Sequence, residues 1–112
     1  MLKQEQVDAL EILGYVHYRL GRFEEARIIF AGLLALDPAS LTARKHLAAI
    51  FLASGKPQEA LEYIEFFLKD RKLQKSELPA LLMRAQALWL LGKKEESRAV
   101  MRAYASANQE NS

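Results

Sequence analysis

Apolar residues return along this chain at intervals of three and four, the spacing that lines one face of an α-helix. Leu10 and Leu13 open the pattern, and Phe23, Ala26 and Phe30 continue it. Leu47, Ala48 and Phe51, then Ala60 and Ile64, carry it through the middle. Ala85 and Leu88, then Ser97 and Met101, close it. The pattern predicts an all-α fold with six helices, at about 5–20, 23–36, 40–53, 57–70, 78–91 and 95–107. Gly21, Gly55 and Gly92 follow the first, third and fifth helices, where a left-handed residue without a Cβ ends a helix well. Asp37-Pro38 stops the second helix, because the residue before proline is biased out of the helical region. Ser40 and Ser76 are suited to cap the helices after them. Pro57 and Pro79 fall in first turns, where a missing N–H costs little.

The pattern repeats. LGRFEEARIIF at 20–30 matches SGKPQEALEYI at 54–64 and LGKKEESRAVM at 91–101. The three glycines and the small residues Ala26, Ala60 and Ser97 share spacings of 34 and 37 residues. Leu10, Leu13 and Gly14 follow a W-x2-L-G pattern with Leu in place of Trp, and Ala26, Phe30 and Pro38 follow the A-x3-F…P tail. This period and pattern resemble the tetratricopeptide repeat. His17 replaces the usual Tyr, and the second and third units lack the closing Pro. The resemblance implies one domain over 1–107, with repeats at about 7–40, 41–74 and 78–111 and a flexible tail at 108–112. It also implies a short right-handed superhelix with a concave groove.

In such an array the repeat residues hold helices together. Gly14 and Ala26 allow close approach, and Phe23 and Phe30 fill the space between pairs. Function is sought on the inner faces of the first helices, which line the groove. Helical spacing places Asp8, Glu11, Tyr15, Tyr18 and Arg19 there from the first unit. The second supplies Thr42, Lys45, Ala49, Leu52 and Ala53, and the third Leu82, Met83, Gln86, Trp89 and Leu90. The partner-binding positions are taken as Glu11, Tyr15, Tyr18, Arg19, Lys45, Ala49, Leu52, Leu82, Gln86 and Trp89. They combine an acidic lip with an aromatic and aliphatic floor, and Tyr and Trp are frequent binding anchors. Val100, Met101 and Tyr104 are expected to leave apolar surface at the end of the last helix, for a partner or a second copy to cover.

Composition narrows the remaining chemistry. The absence of cysteine removes disulfides, thiolate metal sites and a cysteine nucleophile. The net charge is +2, and the basic cluster Lys69, Arg71, Lys72 and Lys75 reads as a solvated loop rather than a nucleic-acid face. The first residues do not read as a secretory signal. The longest apolar run, Ile28–Leu36, is nine residues and too short to span a membrane. His17 and His46 lack metal-ligand spacing; His17 is expected to pack between helices and His46 to lie solvated at the groove edge. Glu24-Glu25 and Glu95-Glu96 open helices, where they complement the helix dipole. No enzyme activity and no cofactor are expected.

Tetratricopeptide domains that hold the acidic C-terminus of heat-shock chaperones use a clamp of Lys, Arg and Asn. Tyr15, Ala49 and Gln86 stand at the corresponding positions here, and only Lys45 suits the clamp. The stretch LGYVHYRLGRFEEARIIFAGLLALDPASLTARKHLAA at 13–49, followed by two more units and a short polar tail, resembles the YscY (SctY) family of type III secretion chaperones. The resemblance implies a protein of the bacterial cytoplasm, working beside the secretion apparatus at the inner membrane. It implies binding of a small secreted protein of the YscX (SctX) type and contact of that pair with the export-gate protein. The alternatives are a general scaffold, a homodimeric assembly module, or a chaperone of secretion translocators of the LcrH/SycD type, whose members carry additional N-terminal helical sequence.

Overall fold

The computed structural model describes residues 2–68 and 78–110. It contains six helices: α1 (Gln4–Arg19), α2 (Phe23–Leu36), α3 (Leu41–Ala53), α4 (Pro57–Leu68), α5 (Leu78–Leu90) and α6 (Lys94–Glu110). No strand occurs among the described residues. Each helix packs against the next, and α3 also touches α5. Three antiparallel pairs therefore stack in sequence order, as the repeat requires.

Local chemistry ends the helices where the sequence indicates. Gly21, Gly55 and Gly92 have φ of 76°, 78° and 81°. Ser40 Oγ accepts the Ala43 N–H at 3.1 Å and so caps α3. In α2 the exposed pair Glu24–Arg27 joins the first turn at 2.6 Å. The hydrogen bond from Arg27 holds the Glu24 carboxyl below its ordinary value. What this pair contributes is present at neutral pH and is lost as pH falls through that lowered value.

Two features differ from the sequence expectation. The last helix continues through Glu110, into the segment expected as a flexible tail from 108. Asn108, Gln109 and Glu110 include no Gly or Pro to break it. His46 is half-buried rather than solvated, for its ring stacks on Phe30 at 4.3 Å with an interplanar angle of 6°. Its Nδ1 donates to the Thr42 carbonyl at 2.8 Å. The expected Ser76 cap, the cluster Lys69, Arg71, Lys72 and Lys75, and positions 69 and 70 of the fourth expected helix lie outside the described residues.

The core has two apolar clusters. Ala26, Phe30, Leu33, Ala43, Leu47 and Ile50 join the first pair to α3. Ile64, Leu81, Leu88, Val100 and their neighbours join α3 through α6. Phe51 and Tyr63 pack against both clusters and stack on each other at 5.7 Å, so the core is continuous. At the small-residue position of the third unit, Ser97 Oγ donates to the Ala85 carbonyl at 2.7 Å and ties α6 to α5. Arg84 Nε donates to Glu65 Oε1 at 2.7 Å and ties α5 to α4.

Two glycines should respond in opposite directions to one added methyl. A Cβ at Gly55 or at Gly32 would meet nothing within 4 Å. Gly55→Ala leaves only the left-handed backbone to strain, and costs about 1 kcal/mol. Gly32 lies inside α2, and Gly32→Ala stabilises by about 0.8–1 kcal/mol through helix propensity. Urea denaturation of the two variants checks the signs, and shifts in the same direction would refute the backbone account.

Candidate protein-binding surface

The first helices of all three pairs meet around one hollow of about 160 Å³. Tyr18 reaches it from α1, Ala49, Leu52 and Ala53 from α3, and Met83 and Gln86 from α5. Because these helices stand side by side, residues one repeat apart line up across them. Five of the six linings are apolar or aromatic, and Gln86 supplies the amide. The volume is below the roughly 300–1,000 Å³ of small-molecule sites. It suits a single large side chain projecting from a bound segment.

Aromatic rings build one wall. Tyr15 is exposed and lies 6.2 Å from Tyr18 between ring centroids. Its ring also stands edge-on to His46 at 6.1 Å and 85°. Tyr18 is half-buried and continues to Phe23 at 6.2 Å. These rings hold one another in place, which lowers the entropy cost of presenting them to a partner. Arg19 is exposed beside them and shares a second shallow hollow with Tyr18, Phe23 and Ala53.

The other expected positions divide. Ala49 and Lys45 are half-buried on α3. Leu52 is buried in the core and forms the hollow's floor, not a projecting anchor. Leu82 and Gln86 are exposed on α5. Trp89 is exposed but does not line the central hollow. It faces a separate hollow of about 320 Å³ at the α5–α6 end, with Leu82, Leu90 and Met101. Lys94 Nζ lies 5.1 Å from its ring centroid, and the Arg98 guanidinium 5.8 Å. One continuous floor was expected, yet α5 splits it into two surfaces that share Leu82's neighbour Gln86. The apolar surface expected at the end of α6 is also narrower: Met101 is exposed, Tyr104 is half-buried and Val100 is buried.

Glu11 sits apart from Tyr18's hollow. It lines a cavity of about 480 Å³ between the start of α1 and the end of α2, with Leu2, Val7, Leu33, Leu36 and Ser40. Periodicity did not indicate this cavity, since it depends on how the chain crosses from α2 to α3. Among the described residues no group of three or more His, Cys, Asp or Glu is placed to hold a metal ion. No helix among them is long and apolar enough to cross a membrane.

Stacked antiparallel helix pairs, each turned by a glycine with positive φ, define a helical-repeat protein whose first helices lie side by side. Family profiles described as tetratricopeptide repeat match residues 46–112, more than half of the chain, and residues 7–50. The chain belongs to the tetratricopeptide-repeat family, whose repeats form protein-binding scaffolds. It is similar to the TPR repeat-containing protein MJ1428 of Methanocaldococcus jannaschii, at 33% identity over 58 residues. That match covers 52% of this chain and 10% of the relative, so the chain aligns with about a tenth of the relative's length.

Proposed function

We propose that the chain binds an apolar segment of a protein partner along the inner faces of α1, α3 and α5. The hollow to which all three repeats contribute, between Tyr18, Ala49, Leu52 and Met83, is the observation that carries this reading. One side chain seated there contributes about 1.5–3 kcal/mol. Association costs an estimated 4–15 kcal/mol. A single anchor is therefore insufficient, and the partner must lie across Tyr15, Tyr18 and Leu82 as an amphipathic helix or an extended strip.

The finer assignment is an export chaperone of the YscY type, with a small secreted YscX-type protein as the partner and the export-gate protein as the recipient. The likeness of residues 13–49 supports it. Physically, the groove would shield apolar segments of the secreted protein until the export machinery competes for them. The work would be done in the bacterial cytoplasm, beside the inner-membrane apparatus.

Co-expression with YscX-type proteins, followed by calorimetry on any complex, tests both levels. Tyr18→Ala should weaken binding about ten-fold or more. Ala53 is an exposed residue on the hollow's rim, so Ala53→Trp should fill the hollow and weaken binding similarly with unchanged helical circular dichroism. Wild-type affinity in Ala53→Trp would place the partner elsewhere. Failure to bind any YscX-type protein, with binding of another apolar segment retained, would remove the chaperone assignment and leave the groove.

A further inference from the structure

The first and last helix pairs described differ from the middle one in which faces they leave exposed. Phe30, Ile64 and Met101 occupy the same repeat position on α2, α4 and α6. Their exposures are 0%, 0% and 44%. The first two lie under the next repeat. Within this chain, Met101 has no such cover, and it opens with Trp89, Leu90 and Ser97 into the hollow at the α5–α6 end.

The interior shows what that face holds. On the first pair, α3 supplies Ala43, Leu47 and Ile50 to the core around Ala26 and Phe30, and His46 stacks on Phe30. One repeat earlier, the same register on α1 is Ala9, Ile12, Leu13 and Val16. All four are exposed, Leu13 at 47% where Leu47 is at 1%, and Ile12 at 65%. So α1 presents outward the apolar stripe that covers a preceding pair in the interior. The last pair presents outward the surface that such a stripe covers. Both halves of one internal interface are held open on the same chain.

We propose that copies of this chain associate head to tail, with the outer face of α1 seated on α5 and α6 of the next copy. Ile12 then stands on Met101 as His46 stands on Phe30. Ala9 then joins Ser97 as Ala43 shares a core cluster with Ala26, and Leu13 and Val16 complete the contact. The occupant is a second copy because the required stripe, in the required register, is exposed on α1. The interface is heterologous, so it extends into open chains rather than closing as a symmetric dimer. The α5–α6 face shares Leu82 and Gln86 with the groove side of α5, whereas Tyr18, Ala49 and Met83 line the central hollow and not that face.

Sedimentation velocity of the 112-residue chain across a wide concentration range tests this, with two charged variants. The mass of the unmodified chain should rise with concentration past that of a dimer. Ile12→Glu and Met101→Glu should each remain monomeric, because each lacks one half of the contact. Mixed in equal amounts they should form a one-to-one pair of doubled mass and stop there, since Met101→Glu still offers α1 and Ile12→Glu still offers the α5–α6 face. A monomeric unmodified chain at every concentration overturns the proposal. So does a dimer formed by either variant alone, which marks a symmetric contact, or a mixture that stays monomeric. Circular dichroism confirms helicity, and Val16→Glu with Trp89→Glu form a second pair with the same expected outcomes should either first variant unfold.

Discussion

Phe30→Ala lowers the stability of this fold by about 3–5 kcal/mol. The ring is fully buried, is stacked on His46 at 4.3 Å, and lies against Gly14 of α1. It therefore fills the junction of three helices from two repeats. Removing it leaves a gap that none of those helices can close alone, so the transfer and cavity costs add. Folded domains are stable by only about 5–15 kcal/mol in total, and the loss will shift the urea midpoint far down. Met101→Ala at the same repeat position is the control. Met101 is exposed, and at dilution its truncation costs about 1 kcal/mol or less. Equal costs at the two positions would show that burial by the next repeat does not set the energy.

Gly14→Leu destabilises by about 3 kcal/mol, against a helix-propensity gain of under about 1 kcal/mol. A Cβ alone at this position would stand 2.7 Å from Phe30 Cε2 and 3.1 Å from Ile29 Cγ2. The Phe30 ring cannot swing away, for His46 is stacked against it. The two substitutions should therefore couple. In Gly14→Leu/Phe30→Ala the new side chain enters the space left by the ring, and the double variant loses less than the sum of the singles. Denaturation of the four-member cycle measures the coupling. Strict additivity, or a neutral Gly14→Leu, would mean that α1 moves freely relative to α2.

The roles of Phe30 and Gly14 are legible in the sequence. Gly14 and Ala26 stood at repeat positions that need small side chains, and Phe30 at one that needs a large one. The groove was legible in part. Tyr18, Ala49 and Gln86 came together because their helices are related by the repeat, and a repeat converts sequence offset into position. Trp89 did not join them. It shares Tyr18's register, but its ring faces α6, where Lys94 stands at Phe23's position and Arg98 lies close by. His46 also runs against its composition, for a polar ring is expected in solvent and the structure lays it on Phe30.

The sequence by itself determined the class, the six helices, the turns and the order of stacking. Each rests on local rules: a period of three to four, glycine at positive φ, a serine cap, and a repeat that recurs every 34 to 37 residues. Only the tertiary structure decided which equivalent residues are covered. Phe30, Ile64 and Met101 obey one pattern, yet two are sealed and one is open. Burial depends on whether another helix stands above a residue, and no residue encodes that in its own neighbourhood.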